Sequence, residues 1–192
     1  SGTPAALRSR GAALHRFEDG AWRVQIDDAA TLNDDAPALR ARPGARLEAY
    51  PIGTNGTLFS PQGGLRASAV DLARLAGLFL PGGPGEALTQ PVDIAGGEPE
   101  TGVLAWASGP QILTAGQIPG RPALSLVGHA GEAYGLYAGA WADPTRGAAV
   151  AFFVTGTVHG ADAARGPDGL TVWEEDLLDL ALDVVDAHAP PG

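Results

Sequence analysis

The sequence contains no lysine: its 12 Lys+Arg residues are all arginine. Any chemistry that needs a lysine amine must therefore come from outside these 192 residues. Cysteine is also absent, which excludes disulfides, thiolate catalysis, Cys-ligated zinc and iron–sulfur clusters without indicating a compartment. Methionine is missing even at position 1, so the chain is expected to derive from a longer precursor or from within a longer gene. No apolar run approaches the roughly 18 residues that would predict a bilayer-spanning helix, and no charged-then-apolar export signal stands at the start.

What is present is acidic. A formal charge of -10 and a pI near 4.6 argue against a nucleic-acid partner, because sequence-independent affinity for phosphate backbones requires a cationic surface. With 45% hydrophobic residues, the length suits one domain over residues 1–192, or part of a larger one. The 28 glycines and 16 prolines cluster, which predicts tight turns between short elements.

Residues 1–20 give weak helical or loop signals. Ala21–Ile26 alternates apolar with polar and predicts a half-buried strand. Residues 27–44 read as a surface loop; Asp27, Asp28, Asp34 and Asp35 lack the ligand spacing of a calcium loop. After a turn-prone segment ending in Pro61-Gln62-Gly63-Gly64, Ser68…Asp71 matches a capping box. Leu72, Leu75, Ala76 and Phe79 then recur at helical spacing until Pro81-Gly82-Gly83.

Short strands are expected at 103–107 and 111–114, and three antiparallel strands at 123–127, 134–142 and 148–154. Residues 128–132 are expected to join the first two of these three, and Asp143-Pro144-Thr145-Arg146-Gly147 the last two. A terminal helix should start near Thr171, where Thr171…Glu174 matches a capping box. Trp173, Leu177, Leu180 and Val184 form its apolar stripe, widened by Leu178, Leu182 and Val185, and core packing against a sheet is the preferred reading. The fold class expected is α+β, an antiparallel sheet flanked by helices.

The order of a glycine-rich turn, Gly63-Gly64-Leu65-Arg66-Ala67-Ser68-Ala69-Val70-Asp71-Leu72-Ala73-Arg74, then His129-Ala130-Gly131, a strand pair and a terminal amphipathic helix carries a resemblance. It is similar to the C-terminal part of the penicillin-recognising serine hydrolases: class C β-lactamases, D-alanyl-D-alanine carboxypeptidases and related esterases. The likeness covers roughly residues 45–187 on pattern. It implies the C-terminal portion of a β-lactamase-like (transpeptidase-like) fold, no cofactor, and an extracytoplasmic location, periplasmic or secreted.

The family's three motifs are a Ser-x-x-Lys nucleophile, a Tyr-x-Asn element, and Lys-Thr-Gly or His-x-Gly on a strand lining the cleft. The third maps onto His129, Ala130 and Gly131. The first cannot be present without a lysine. The second has no match, since Tyr50-Pro51-Ile52 lacks the Asn and Tyr134-Gly135-Leu136 follows the third motif. Both are expected in a missing N-terminal segment of the same protein, which would be this chain's first partner.

The resemblance implies that the strand offers a backbone N–H to the oxyanion and a side chain to the substrate's carboxylate or leaving group. His129 would be that side chain, Ala130 would replace a hydroxyl-bearing residue, and Gly131 would admit the substrate to the backbone. Glu132 and Tyr134 would border the cleft, as would Asn55 and Ser60, although Asn55-Gly56 is first a turn pair. Outside this pattern His129 would read as a strand-end turn residue. His15, His159 and His188 are scattered, and no metal site is expected.

The function implied is hydrolysis of a small acyl substrate (ester, peptide or β-lactam) through an acyl-enzyme, with this chain inactive alone. Two alternatives stand beside it. One is a non-catalytic binding module on the same scaffold. The other is a self-processed hydrolase with Ser1 as nucleophile and its own α-amine as base, although Ser1-Gly2 is also what an expression vector leaves behind.

Overall fold

The structure is a computed structural model that describes residues 11–25, 65, 67–92, 105–133, 135–157, 164–166 and 169–188. The chain divides into two compact units, Ser1–Arg66 and Ala67–Gly192. In the first, β1 (Leu14–Glu18) and β2 (Ala21–Gln25) pair antiparallel. The expectation of helix or loop before residue 20 is corrected here. Asp19 and Gly20 have φ 52 and 75, the two positive values of a type I′ turn, whose twist matches that of the strands it joins. Phe17 pairs with Trp22 across the hairpin, their rings edge to face with centroids 5.4 Å apart.

The second unit has mixed α and β structure. Helix α1 (Ala69–Ala76) begins at the expected capping box. Ser68 Oγ accepts the Asp71 N–H at 3.2 Å, and the Asp71 carboxylate accepts the Ser68 N–H. The Ser68 hydroxyl also donates to that carboxylate at 2.7 Å, and this bond first, then the one from the Ser68 N–H, holds the Asp71 carboxyl below its ordinary range. The helix tightens into a 3-10 turn at Gly77–Phe79 and stops at Pro81-Gly82-Gly83, where Gly82 has φ 78. Within the expected stripe Ala76 is buried, whereas Leu75 is exposed.

Six strands follow, each antiparallel to its neighbour in the order of the chain: β3 (Pro91–Val92), β4 (Ala105–Ala107), β5 (Gln111–Leu113), β6 (Leu126–Ala133), β7 (Leu136–Asp143) and β8 (Ala148–Val154). A short β9 (Gly156–Thr157) and helix α2 (Val172–His188) complete the described elements. The β7–β8 connection lies where expected. Asp143, 2% exposed, accepts the Thr145 and Arg146 N–H groups at 3.0 Å and pairs with the Arg146 guanidinium at 2.9 Å.

Side-chain alternation sorts the core into two faces. Leu113 and Leu126 join Ile118, Leu124, Trp141, Phe152, Leu170, Leu178 and Leu182 in the larger cluster. Their strand neighbours Ile112 and Val127 join Ala107 in a smaller one, with Phe79 against it. Helix α2 therefore covers one face, and α1 with its 3-10 extension the other. Burial of a side chain such as Leu178 or Leu182 contributes about 1.5–3 kcal/mol each.

The stripe expected on α2 is rotated in the structure. Leu178 and Leu182 are buried and Leu177 packs beside them, while Leu180 and Val184 are 61% and 54% exposed. The apolar arc is wider than the face the sheet can cover. Thr171 and Glu174 meet as expected at the helix start, the carboxylate accepting both the Thr171 N–H at 2.9 Å and its hydroxyl at 2.8 Å.

Candidate active site

The Gly128-His129-Ala130-Gly131 stretch is an interior length of β6, which corrects its reading as a turn. Residues 127–133 pair one by one with Ala142 back to Leu136 of β7. The chain reverses later, with Gly135 at φ 83. Glycine is disfavoured in strands, which is why the local signal misleads. At Gly128 the sheet itself requires it: a Cβ there would lie 2.0 Å from the Ala140 carbonyl oxygen. At Gly131 an added Cβ meets nothing within 4 Å, so open space adjoins the backbone.

On its other side β6 pairs with β5 only as far as Gly128, opposite Gln111. In an antiparallel ladder the N–H and C=O of one residue point to the same neighbour, and those of the next residue to the other. Ala130 points to the β5 side, because its N–H donates to Gln111 Oε1 at 2.7 Å. Its carbonyl oxygen is met by His129 Nδ1. By the same alternation the backbone N–H of Glu132 is directed to the edge that β5 leaves open.

The side chains divide between faces. Ala130 packs against the larger cluster. His129 is exposed, and its ring stands edge to face with Trp106, centroids 5.9 Å apart at 73°. Glu132 shares the Ala130 face and its carboxylate is occupied. It accepts from the Tyr137 hydroxyl at 3.1 Å and pairs with Arg165 at 2.7 Å. Arg165 also donates to the Gly169 carbonyl at 2.8 Å and lies 3.8 Å from Glu174. Burial, then the Glu132 bond, pushes the Tyr137 hydroxyl up to about 12. Burial likewise raises the Glu174 carboxyl, against the bonds from Thr171.

Of the residues expected at the site, His129, Ala130, Gly131 and Glu132 are thus consecutive on one strand, but their side chains meet different partners: the Glu132 carboxylate Tyr137 and Arg165, the imidazole Trp106. Ser1, Asn55, Ser60, Tyr134 and the aspartates at 27, 28, 34 and 35 lie outside the described residues. Sequence reasoning missed Gln111 and Trp106. Neither sits in a local motif; a glutamine inside an apolar strand was the sole hint.

A second charged cluster lies elsewhere, where Arg121 meets Asp179 at 2.8 Å and also binds Asp183 and Asp186 of α2. The hydrogen bond to Asp186 is the largest influence raising the Arg121 guanidinium, and Arg146 shares Asp186 at 3.0 Å. Every charge here has a partner, which makes it a clamp between the 118–124 loop and α2. Among the described residues no three His, Asp or Glu side chains gather as metal ligands, and no helix is long and apolar enough to cross a membrane. No family model matches the chain, and no similar protein is found among curated proteins or solved structures.

Proposed function

We propose that the chain is the C-terminal portion of a β-lactamase-like serine hydrolase, and that the nucleophilic serine and its lysine belong to a segment outside these 192 residues. The observation that carries this reading is the open edge of β6 beside the His129-Ala130-Gly131 motif. There the Glu132 N–H is directed to the edge that β5 leaves open, and among the described residues nothing fills the space next to Gly131. The meander with a helix on each face suits the C-terminal portion of a transpeptidase-like fold.

In this reading a serine oxygen attacks the carbonyl of an ester, amide or β-lactam and its proton passes by way of a base to the leaving group. The oxyanion takes the Glu132 N–H as one donor. Water then cleaves the resulting ester and restores the serine. A donor held in a strand ladder suits this task because it needs no reorganisation as charge develops. Ala130 has no hydroxyl to offer a carboxylate, which favours ester or peptide substrates at least as much as β-lactams.

The test begins upstream of Ser1, where the coding sequence should contain Ser-x-x-Lys and Tyr-x-Asn. The longer protein should take up a fluorophosphonate label on that serine. The 192-residue chain alone should neither take the label nor hydrolyse a chromogenic cephalosporin or a short-chain aryl ester. Stoichiometric labelling of a serine within it would sink the proposal. A non-catalytic binding module is the second reading, favoured by the occupation of both Ala130 backbone groups by side chains; absence of Ser-x-x-Lys upstream selects it.

A further inference from the structure

Beyond Gly128, strand β6 has a ladder on one side only: β5 has ended, and the residues up to Ala133 pair with β7 alone. Gln111 secures the Ala130 N–H, and past it no backbone bond to the β5 side is made among the described residues. A strand end of this kind bends toward its open side unless something else restrains it. The Glu132 side chain supplies that restraint. Its carboxylate, 29% exposed, accepts from the Tyr137 hydroxyl at 3.1 Å and pairs with the Arg165 guanidinium at 2.7 Å.

Both partners lead to the start of α2. Tyr137 stands directly opposite Glu132 in the ladder, is 1% exposed, and sets its ring 5.5 Å from that of Trp173. Arg165 forms a backbone bridge with Thr171 and gives a second N–H to the Gly169 carbonyl at 2.8 Å, while Gly166 donates to the Leu170 carbonyl at 2.7 Å. Leu170 and Thr171 are completely buried, so the guanidinium projects from a fixed base. Its planar fork serves Gly169 and Glu132 at once, which a single ammonium group would not do.

We infer that Arg165 is a positioning residue, which latches Glu132 to the first turn of α2 and thereby fixes where the Glu132 backbone N–H stands at the open edge of β6. This rests on the acyl-transfer reading above, in which that N–H is an oxyanion donor. Such a donor stabilises developing charge only if it is already in place, and a displacement of about 1 Å is costly. The seating of α2, remote in sequence from the motif, is then a condition for the geometry of the site.

Backbone 15N relaxation of the 192-residue chain tests the latch, because it reports motion within the folded state and is not moved by a loss of stability alone. In the parent, Gly131 and Glu132 should be as rigid as Val127, with order parameters of about 0.85. In Arg165→Ala those of Gly131 and Glu132 should fall toward about 0.6, or the two signals should gain microsecond-to-millisecond exchange, with Val127 and Ala140 unchanged. Glu132→Ala keeps the backbone N–H and loses both ties; it should show the same local pattern, and it carries the test alone if Arg165→Ala does not fold. The double variant should be no more mobile than Glu132→Ala. Unchanged or uniformly increased motion in the single variants, or additive effects in the double one, overturns the inference. In the longer protein Arg165→Ala should lower kcat for a short-chain aryl ester about tenfold, the span of one charged hydrogen bond, with KM changed less than about twofold; an effect on KM alone overturns the positioning role. Lack of an upstream Ser-x-x-Lys removes acyl transfer and leaves the latch as relaxation measures it, whereas a Glu132 N–H that stays rigid without Arg165 removes the latch and leaves acyl transfer standing.

Discussion

Gln111 Oε1 accepts the backbone N–H of Ala130 at 2.7 Å, two residues beyond the last pair between β5 and β6. The side chain thus stands in for a strand residue that is not there, and at 7% exposure it is shielded from water that could replace it. Gln111→Leu keeps the bulk and deletes the acceptor. It should cost about 1–3 kcal/mol, the range for a buried donor left unmade, and speed amide exchange at Ala130. Gln111→Glu retains an acceptor and should recover most of the exchange protection. Unchanged exchange at Ala130 in Gln111→Leu would show that the bond does not hold the edge.

The two glycines that flank His129 and Ala130 should respond in opposite ways to the same change. Gly128→Ala forces a Cβ to 2.0 Å from the Ala140 carbonyl oxygen, so β6 and β7 must part locally. A loss of roughly 1–3 kcal/mol or more is expected in urea unfolding. Gly131→Ala meets no atom and should stay within about 0.5 kcal/mol of the parent. In the longer protein Gly131→Ala should nevertheless lower acyl transfer, because the methyl enters the space assigned to substrate. Equal stability losses in the two variants would contradict the register of β6.

Glu174 provides a pH test with a defined sign. Burial raises its folded-state value above its ordinary value of 4.5, so the folded chain binds this proton more tightly than the unfolded one. The stability it contributes is fully present below that unfolded value and is lost as pH rises through the folded one. The difference in Tm between the parent and Glu174→Gln should therefore shift in favour of the parent as pH falls from neutral toward the unfolded value. A shift in the opposite direction would mean that Arg165 and Thr171 outweigh burial.

Arg121 ties the loop before β6 to three aspartates of α2. Arg121→Ala leaves these like charges facing one another along the helix. The variant should lose Tm, with the loss shrinking as salt is raised, since the aspartates are 40–64% exposed and screened by ions. A loss independent of salt would point to packing of the arginine stem instead.

Features written within a few residues were readable in the sequence. The Ser68–Asp71 capping box and the Thr171–Glu174 contact, in which the carboxylate takes both the Thr171 N–H and its hydroxyl, depend on residues three apart, and the Asp143–Gly147 turn on its own side chains. The bounds of β8 also matched. Where pairing across the sheet decides, local signals failed. Gly128 and Gly131 looked like turn residues because the close approach of Ala140 to Gly128 cannot be seen in one strand alone. The β1–β2 hairpin was not anticipated, because Leu14–Glu18 is too polar to register as a strand. On α2, Leu180 and Val184 share the helical period of the core residues without reaching the sheet. The site was half legible: the motif residues stand together on β6, whereas Gln111 and Trp106 reach them only through the third dimension.

The placement of the motif inside β6 limits how this region can vary. A loop absorbs an inserted or deleted residue by changing a few dihedral angles. Between Val127 and Ala133 every residue is matched to one of β7, and a single insertion would exchange the two faces of all that follows, turning the imidazole into the core and the Ala130 methyl outward. Related chains that keep this sheet should therefore differ along β6 by substitution at constant length, with changes in length confined to connections such as residues 144–147.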